Sequence, residues 1–144
     1  MECEFPTVNA NPEEFREIFE SVKTIAIPGL SPNPEKDSHK VAKYLQEQGY
    51  KIIPIYPKEE TILGEKVYRS LDEVPEGIDM VDMFRKPEVA DAIVDAIARR
   101  EDVKVLWLQK GIVNNAAAKR AEEMGLKVVQ NRCSMVEHRG IYGR

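Results

Sequence analysis

Lys23-Thr-Ile-Ala-Ile-Pro-Gly-Leu-Ser-Pro-Asn-Pro-Glu-Lys-Asp-Ser38 is the stretch whose reading decides the fold. The apolar run Ile25 to Ile27 stops at Pro28-Gly29 and gives way to small and polar residues. Asp37 or Ser38 stands where a cap is needed for a helical pattern beginning near His39. The unit is strand, loop, helix. In an open α/β sheet the loop after the first strand lies at the carboxyl edge, where strand order reverses, and the next helix aims its N-terminal amides there. Such a place suits a phosphate.

Working outward, the helix from about Ser38 to Gln48 carries Val41, Ala42 and Leu45 on one face and stops at Gly49, and Lys51 to Tyr56 reads as a second strand. Lys23 to Tyr56 is thus a β-loop-α-β unit of 34 residues with an expected right-handed crossover. On the N-terminal side, Asn11-Pro12 opens a helix over about residues 12–21, whose Phe15, Ile18 and Phe19, with Val22 just beyond, recur at helical spacing and cover the sheet. On the C-terminal side, Thr61 to Tyr68 is a brief extended excursion, and Ser70-Leu-Asp-Glu73 matches a capping box opening a single turn. Strands follow at Met80 to Phe84, Val103 to Leu108 and Leu126 to Val129. Between them lie a helix marked by Val89, Ala90, Ile93, Val94 and Ile97, and an Ala-rich helix capped by Asn114 or Asn115. The pattern predicts an α/β chain: a three-layer, Rossmann-like doubly wound fold with a five-stranded, mostly parallel sheet, residues 1–144 forming one domain. Periodicity leaves open whether the Ala-rich helix packs in the core or offers a homodimer face.

Composition narrows the partners. Lys plus Arg is 21 and Asp plus Glu is 25, a net charge of −4, so nucleic acid and anionic membrane surfaces are disfavoured and an anionic ligand needs a local basic cluster. No apolar run approaches the ~20 residues of a membrane span, and the N-terminus, with Glu2, Glu4 and Pro6, lacks signal-peptide character; a cytoplasmic setting is expected. Cys3 and Cys133 have no metal-type spacing and are expected to be free thiols. No metal site is expected.

The loop after the first strand holds one glycine, Gly29, and the second strand ends in Tyr56-Pro57-Lys58. The glycine fingerprint for NAD and the acidic residue that holds its ribose are both absent, as is a P-loop. Lys58 is a cation where an adenosine ribose lies, which suits a ribose phosphate, present in both NADP and coenzyme A. Arg85 with Lys86, Lys110, and Lys36 add cations after successive strands. From residue chemistry, NADP and CoA stay close.

The ordered set Ile27-Pro-Gly-Leu-Ser31, Asn33-Pro34, Ser38-His39, Gly49-Tyr-Lys-Ile-Ile-Pro-Ile-Tyr-Pro57, Ile62-Leu-Gly-Glu-Lys-Val-Tyr68, Val81-Asp-Met-Phe-Arg85, Leu106-Trp-Leu-Gln-Lys-Gly111 and Asn131-Arg-Cys133 resembles the small stand-alone CoA-binding proteins of Rossmann-like fold. These are similar to the CoA-binding domain of the succinyl-CoA synthetase α subunit. The family pattern usually has valine where this chain has Pro28, a change tolerable at a strand end. The resemblance selects CoA or an acyl-CoA over NADP. It implies that Gly29, Leu30 and Ser31, with Ser38 and His39, contact the phosphates; that Tyr56, Pro57 and Lys58 hold the adenosine phosphate side; that Phe84, Arg85 and Lys86 flank the ligand; and that Gln109, Lys110 and Gly111 close the opposite wall.

Catalytic residues are not evident. His39 reads as a phosphate neighbour or surface residue, His138 as a surface residue of a charged C-terminal tail, and Ser31, Ser38 and Ser134 lack a His/Asp partnership. The synthetase phosphorylates a histidine of a further domain, and no ligase activity is expected of this polypeptide alone. A non-catalytic CoA-binding protein is expected; the alternative is a small NADP- or acyl-CoA-dependent enzyme completed by a partner chain. Cys133, with Arg132 beside it, is a candidate for a mixed disulfide with the CoA thiol.

Overall fold

The computed structural model describes residues 5–143; Cys3, Glu2 and Glu4 lie outside them. Along the chain run α1 (Phe15–Ser21), β1 (Thr24–Pro28), α2 (Asp37–Glu47), β2 (Lys51–Ile55), the hairpin strands β3 (Thr61–Ile62) and β4 (Glu65–Lys66), β5 (Met80–Met83), α3 (Ala90–Arg100), β6 (Val105–Leu108), α4 (Asn115–Glu123), β7 (Lys127–Val129) and α5 (Ser134–Tyr142). Pro12 and Pro87 each open a 3-10 turn, Pro12–Glu14 and Pro87–Val89, that leads into α1 and α3. Proline suits such positions because the missing N–H has no partner in a first turn.

Five strands form one all-parallel sheet in the order β2-β1-β5-β6-β7. Ile25 pairs with Ile52 on one side and Met80 on the other, and Leu106 pairs with Val81 and Val128. The order reverses between β1 and β5, which makes their carboxyl ends the topological switch point.

Alternation along the strands divides the core into two layers. Ile25, Ile27, Ile52, Met80, Trp107 and Val129 join Phe15, Ile18 and Phe19 of α1 and Val41, Tyr44 and Leu45 of α2. Ala26, Ile53, Val81, Met83, Leu106, Leu108 and Val128 face Ala90, Val94 and Ile97 of α3 and the alanines of α4. Fully buried Trp107 stacks 5.3 Å from Phe15 and 5.4 Å from Phe19, and its indole N–H donates to the Arg132 carbonyl at 2.8 Å. Ala117, Ala118 and Ala121 are fully buried, so the small face of α4 lies in the core.

Both sheet edges are closed against further pairing. Beside β2, Pro54 has no N–H, and its carbonyl accepts the Tyr68 N–H at 3.0 Å. Beside β7, the Ala10 N–H donates to the Val128 carbonyl at 2.7 Å, and Asn9 accepts the Gln130 N–H through Oδ1 at 2.9 Å. Among the described residues no helix is long and apolar enough to cross a membrane.

Four local expectations are corrected. The helix after β1 starts at Asp37 with Lys36 as N-cap, because Ser38 Oγ faces back and accepts the Ser31 N–H at 3.0 Å. The Ser70 capping box does not form: Glu73 accepts the N–H of Arg69 instead, at 2.8 Å, and the segment is a 3-10 turn, Leu71–Glu73. Ahead of α1, the residues expected to begin the α-helix form a 3-10 turn, with Glu14 accepting the Asn11 N–H at 3.0 Å. The C-terminal residues are not a surface tail. They form α5, and His138 is buried, its Nδ1 2.7 Å from the Tyr44 hydroxyl and its ring packed edge-on to Phe19, Tyr44 and Tyr50. Met135, Ile141 and Tyr142 accompany it into the core, a helical spacing masked by the intervening charges.

Candidate functional site at the carboxyl edge

Loops after β1, β2, β5, β6 and β7 all emerge at the carboxyl edge of the sheet. At its centre the loops after β1 and β5 touch. Gly29 has φ +87, and a Cβ built there would lie 2.4 Å from the Phe84 carbonyl oxygen. Only glycine permits both that torsion and that approach.

The β1 loop is internally braced. The N–H of Gly29 donates to the Ile55 carbonyl at 2.9 Å, that of Leu30 to the Ile27 carbonyl at 3.2 Å, and that of Ser31 to Ser38 Oγ. Leu30 is fully buried, so it lies beneath the surface of this edge. What the loop leaves for an anion is therefore hydroxyl and helix-terminal chemistry. Ser31 and Ser38 both accept from main-chain N–H groups and keep their own protons to donate, and the first turn of α2 has N–H groups with no intrahelical acceptor. His39 is turned by its Nδ1–H, which donates to the Ser31 carbonyl at 2.8 Å and leaves Nε2 as the outer nitrogen.

After β2, Tyr56 is half-buried and Pro57 and Lys58 are exposed. Arg69 builds this loop: one guanidinium nitrogen donates to the carbonyls of Tyr56, Lys58 and Glu59 at 3.0, 2.8 and 2.9 Å. Glu59, at φ +71, is the turn residue so held. After β5, Phe84 is half-buried while Arg85 and Lys86 are exposed; after β6, Gln109 is buried and Lys110 and Gly111 are exposed. Gly111 donates to Asn131 Oδ1 at 2.7 Å, and Asn114 caps α4 by accepting the Ala117 N–H at 3.0 Å while donating to the Pro87 carbonyl at 2.9 Å. The loops after β5, β6 and β7 are thereby tied into one wall.

Lys36, Lys58, Arg85, Lys86 and Lys110 are all exposed and make no ion pair with any described residue, as is also true of Lys23, Lys104 and Lys119 elsewhere; what sets the five apart is their place on one edge. Five exposed cations, on four loops, thus share one edge of an acidic protein.

Beside the switch point opens a cleft of about 350 Å³, lined by Val41, Phe84, Ile112, Met135 and Val136 with Cys133 on its wall. Gln109, Lys110, Asp37 and Lys40 supply its polar groups. Its floor is braced by a ring of buried polar groups: Gln109 Nε2 donates to Asp82 Oδ1 at 2.6 Å and to Ser134 Oγ at 2.7 Å, and Ser134 Oγ donates to Asp82 Oδ2 at 2.7 Å. Burial pushes the Asp82 carboxyl up to about 7, against the two hydrogen bonds that favour its charge. A larger opening, of about 380 Å³, lies at the opposite end among Ile97, Met124 and Leu126, away from every carboxyl-edge loop. Among the described residues no cluster fit to hold a metal ion occurs.

Residues expected at the site from sequence, Gly29 to Ser31, Ser38 and His39, Tyr56 to Lys58, Phe84 to Lys86, and Gln109 to Gly111, share this edge with Cys133. Sequence reasoning gave no role to Arg69 or Asp82 and read Ser134 as lacking a His/Asp partnership, whereas Ser134 Oγ donates to Asp82 Oδ2 at 2.7 Å. Asp82 stands in a strand among apolar residues, Val81-Asp-Met-Phe84, which is the one signal that was available for it.

A family model described as "CoA binding domain" matches residues 23–139. YneT of Bacillus subtilis (strain 168), an uncharacterized protein, is 37% identical over 130 residues, covering 90% of this chain and 96% of that protein. The structure of a hypothetical protein from Pyrococcus horikoshii OT3 superimposes with a TM-score of 0.89 at 41% identity, covering 99% of this chain and 100% of that one. The α subunit of an ADP-forming acetate–CoA ligase from Pyrococcus furiosus is 38% identical over 63 residues, 43% of this chain and 14% of the subunit. Family match, full-length relatives and the Rossmann-like edge agree: the chain belongs to the CoA-binding domain family.

Proposed function

We propose that residues 1–144 act as a single non-catalytic module that binds coenzyme A across the β1/β5 switch point. The observation that carries this reading is the gathering of five exposed cations around a glycine-bearing loop and a helix N-terminus, on a chain of net charge −4. In this reading Ser31, Ser38 and His39, with the N-terminal amides of α2, meet the pyrophosphate, and Gly29 and Leu30 shape the loop beneath it. Tyr56 and Pro57 border the adenosine, and Lys58 neutralises its 3′-phosphate. Arg85 and Lys86 supply further charge, Phe84 flanks the ligand, and Gln109, Lys110 and Gly111 face the pantetheine arm. The free or acylated thiol end then enters the apolar cleft.

Cys133 on the cleft wall supports a redox role. Its thiolate attacks one sulfur of a CoA disulfide, the protein–CoA disulfide forms, and the other CoA leaves as a thiolate. A cytoplasmic setting belongs to the same reading, since a reducing compartment keeps Cys133 available.

Calorimetric titration with CoA, dephospho-CoA and NADP tests the ligand. CoA is expected to bind, dephospho-CoA to bind at least tenfold more weakly, and Lys58→Ala to remove most of that difference. No binding of CoA, or tighter binding of NADP, overturns the reading and favours the NADP-dependent alternative. Exposure of the protein to CoA disulfide followed by intact-mass measurement tests Cys133: a CoA-sized adduct lost in Cys133→Ser is expected, and its absence refutes the exchange.

A further inference from the structure

Gln109 has a defined chemical sense. It is 4% exposed, and both acceptors that hold its carboxamide, Asp82 and Ser134, lie on the inner side, so its NH2 group is turned away from the cleft. An ionised carboxylate accepts hydrogen bonds and cannot donate them, which forces the amide nitrogen, not the oxygen, toward Asp82. Gln109 Oε1 bonds no described residue. No fully buried side-chain nitrogen or oxygen among the described residues lacks a partner, so this oxygen opens onto the cleft that Gln109 lines. A nearly buried residue therefore presents one unpartnered acceptor to a cleft whose other walls are Val41, Phe84, Ile112 and Met135, with Asp37, Lys40 and Lys110 also bordering it.

We propose that Gln109 Oε1 is the acceptor with which the cleft reads an amide N–H of the pantetheine arm, and that Asp82 and Ser134 are positioning residues that hold the carboxamide in that sense. This inference rests on CoA being the ligand. The arm carries two secondary amides, each with an N–H that must find an acceptor when removed from water. The recognition also explains why a carboxylate is retained with no exposure at all in the sheet. A neutral group at position 82 has a donor of its own to offer, which lets the carboxamide turn over and show the cleft an NH2 group instead. Protonation of Asp82 loosens the same constraint, and because burial raises that carboxyl to about 7, the acceptor is held most firmly on the alkaline side of that value. Among the described residues Asp82 is bonded by Gln109 and Ser134 side chains, and no cation pairs with it. The ionisable groups bordering the cleft are Asp37 and Lys40 of α2, Lys110 after β6 and Cys133 before α5, while His138, one turn along α5, engages Tyr44.

The test measures dissociation constants for CoA and for adenosine 3′,5′-bisphosphate, which lacks the arm, with the wild type, Gln109→Met and Asp82→Asn at pH 6 and pH 8. Variant-to-wild-type ratios for one ligand cancel the titration of that ligand. At pH 8, Gln109→Met and Asp82→Asn are each expected to weaken CoA about fivefold to tenfold, the value of one hydrogen bond, and the bisphosphate less than twofold. At pH 6 both ratios for CoA are expected to fall below about twofold. Equal losses for both ligands, or CoA ratios that are the same at the two pH values, overturn the inference. Should Gln109→Met fail to fold, the near-isosteric Asp82→Asn decides alone by the same criteria. Failure of the wild type to bind CoA refutes the ligand assignment; binding of CoA with unaltered affinity in both variants refutes only the role of Gln109.

Discussion

Replacing Gly29 by alanine tests the close approach of β1 and β5 on which the carboxyl-edge site depends. Gly29 and Gly111 share φ +87, but an added Cβ at Gly29 meets the Phe84 carbonyl oxygen at 2.4 Å and carbon at 2.9 Å, whereas at Gly111 nothing lies within 4 Å. The torsion alone costs about 1–2 kcal/mol in either variant. At Gly29 the loops must also separate by the better part of an ångström, against main-chain atoms that cannot rotate away. That strains the Phe84 N–H bond to the Pro28 carbonyl, now 2.8 Å, and the Gly29 N–H bond to the Ile55 carbonyl. Overpacking adds about 1–3 kcal/mol and a weakened hydrogen bond about 1. Gly29→Ala is thus expected to cost about 3–6 kcal/mol and Gly111→Ala about 1–2. For a chain of 144 residues this is a drop in Tm of roughly 10–20 °C against roughly 3–6 °C. Urea unfolding of the wild type and both variants at one pH measures the difference. Equal losses in the two alanine variants would show that the contact with Phe84 is not a constraint and would refute the reasoning.

Three further outcomes follow from the same geometry. Unfolded, Asp82 releases its proton near 3.8, but folded it holds it to about 7, so the native state binds more protons between those values and stability falls as pH rises through that window. Asp82→Asn removes this slope. Urea midpoints at pH 5 and pH 8 are expected to diverge between wild type and variant by a few kcal/mol, and parallel curves would contradict it. Arg69→Ala frees the carbonyls of Tyr56, Lys58 and Glu59 and is expected to speed amide exchange in residues 56–60 and weaken CoA binding severalfold, with no more than about 1–2 kcal/mol lost globally. Unchanged exchange there would remove Arg69 from the account of the loop. Tyr44→Phe deletes the buried hydroxyl that contacts His138 and is expected to cost about 1–3 kcal/mol in urea melts; a neutral result would show that α5 is held by packing alone.

Much of the molecule is local and was readable as such. β1 and β2 are short apolar runs ended by Pro28-Gly29 and Tyr56-Pro57, α2 and α3 bury faces at helical spacing, and Asn114 caps α4. These features depend on a residue and neighbours within a few positions, where periodicity and turn chemistry are decisive. The α/β class and the expectation of a carboxyl-edge site after β1 follow from that alternation. The order β2-β1-β5-β6-β7, the convergence of Lys36, Lys58, Arg85, Lys86 and Lys110 on one edge, and the contact of Gly29 with Phe84 were decided by pairing between distant segments. Distance along the chain also hid what was missed. Asp82 meets Gln109 27 residues away and Ser134 52 residues away, and Tyr44 meets His138 across 94. An aspartate in an apolar strand or a histidine among charges takes its meaning from the partner that folding brings to it, because burial and hydrogen bonding belong to the packed chain and not to its local pattern.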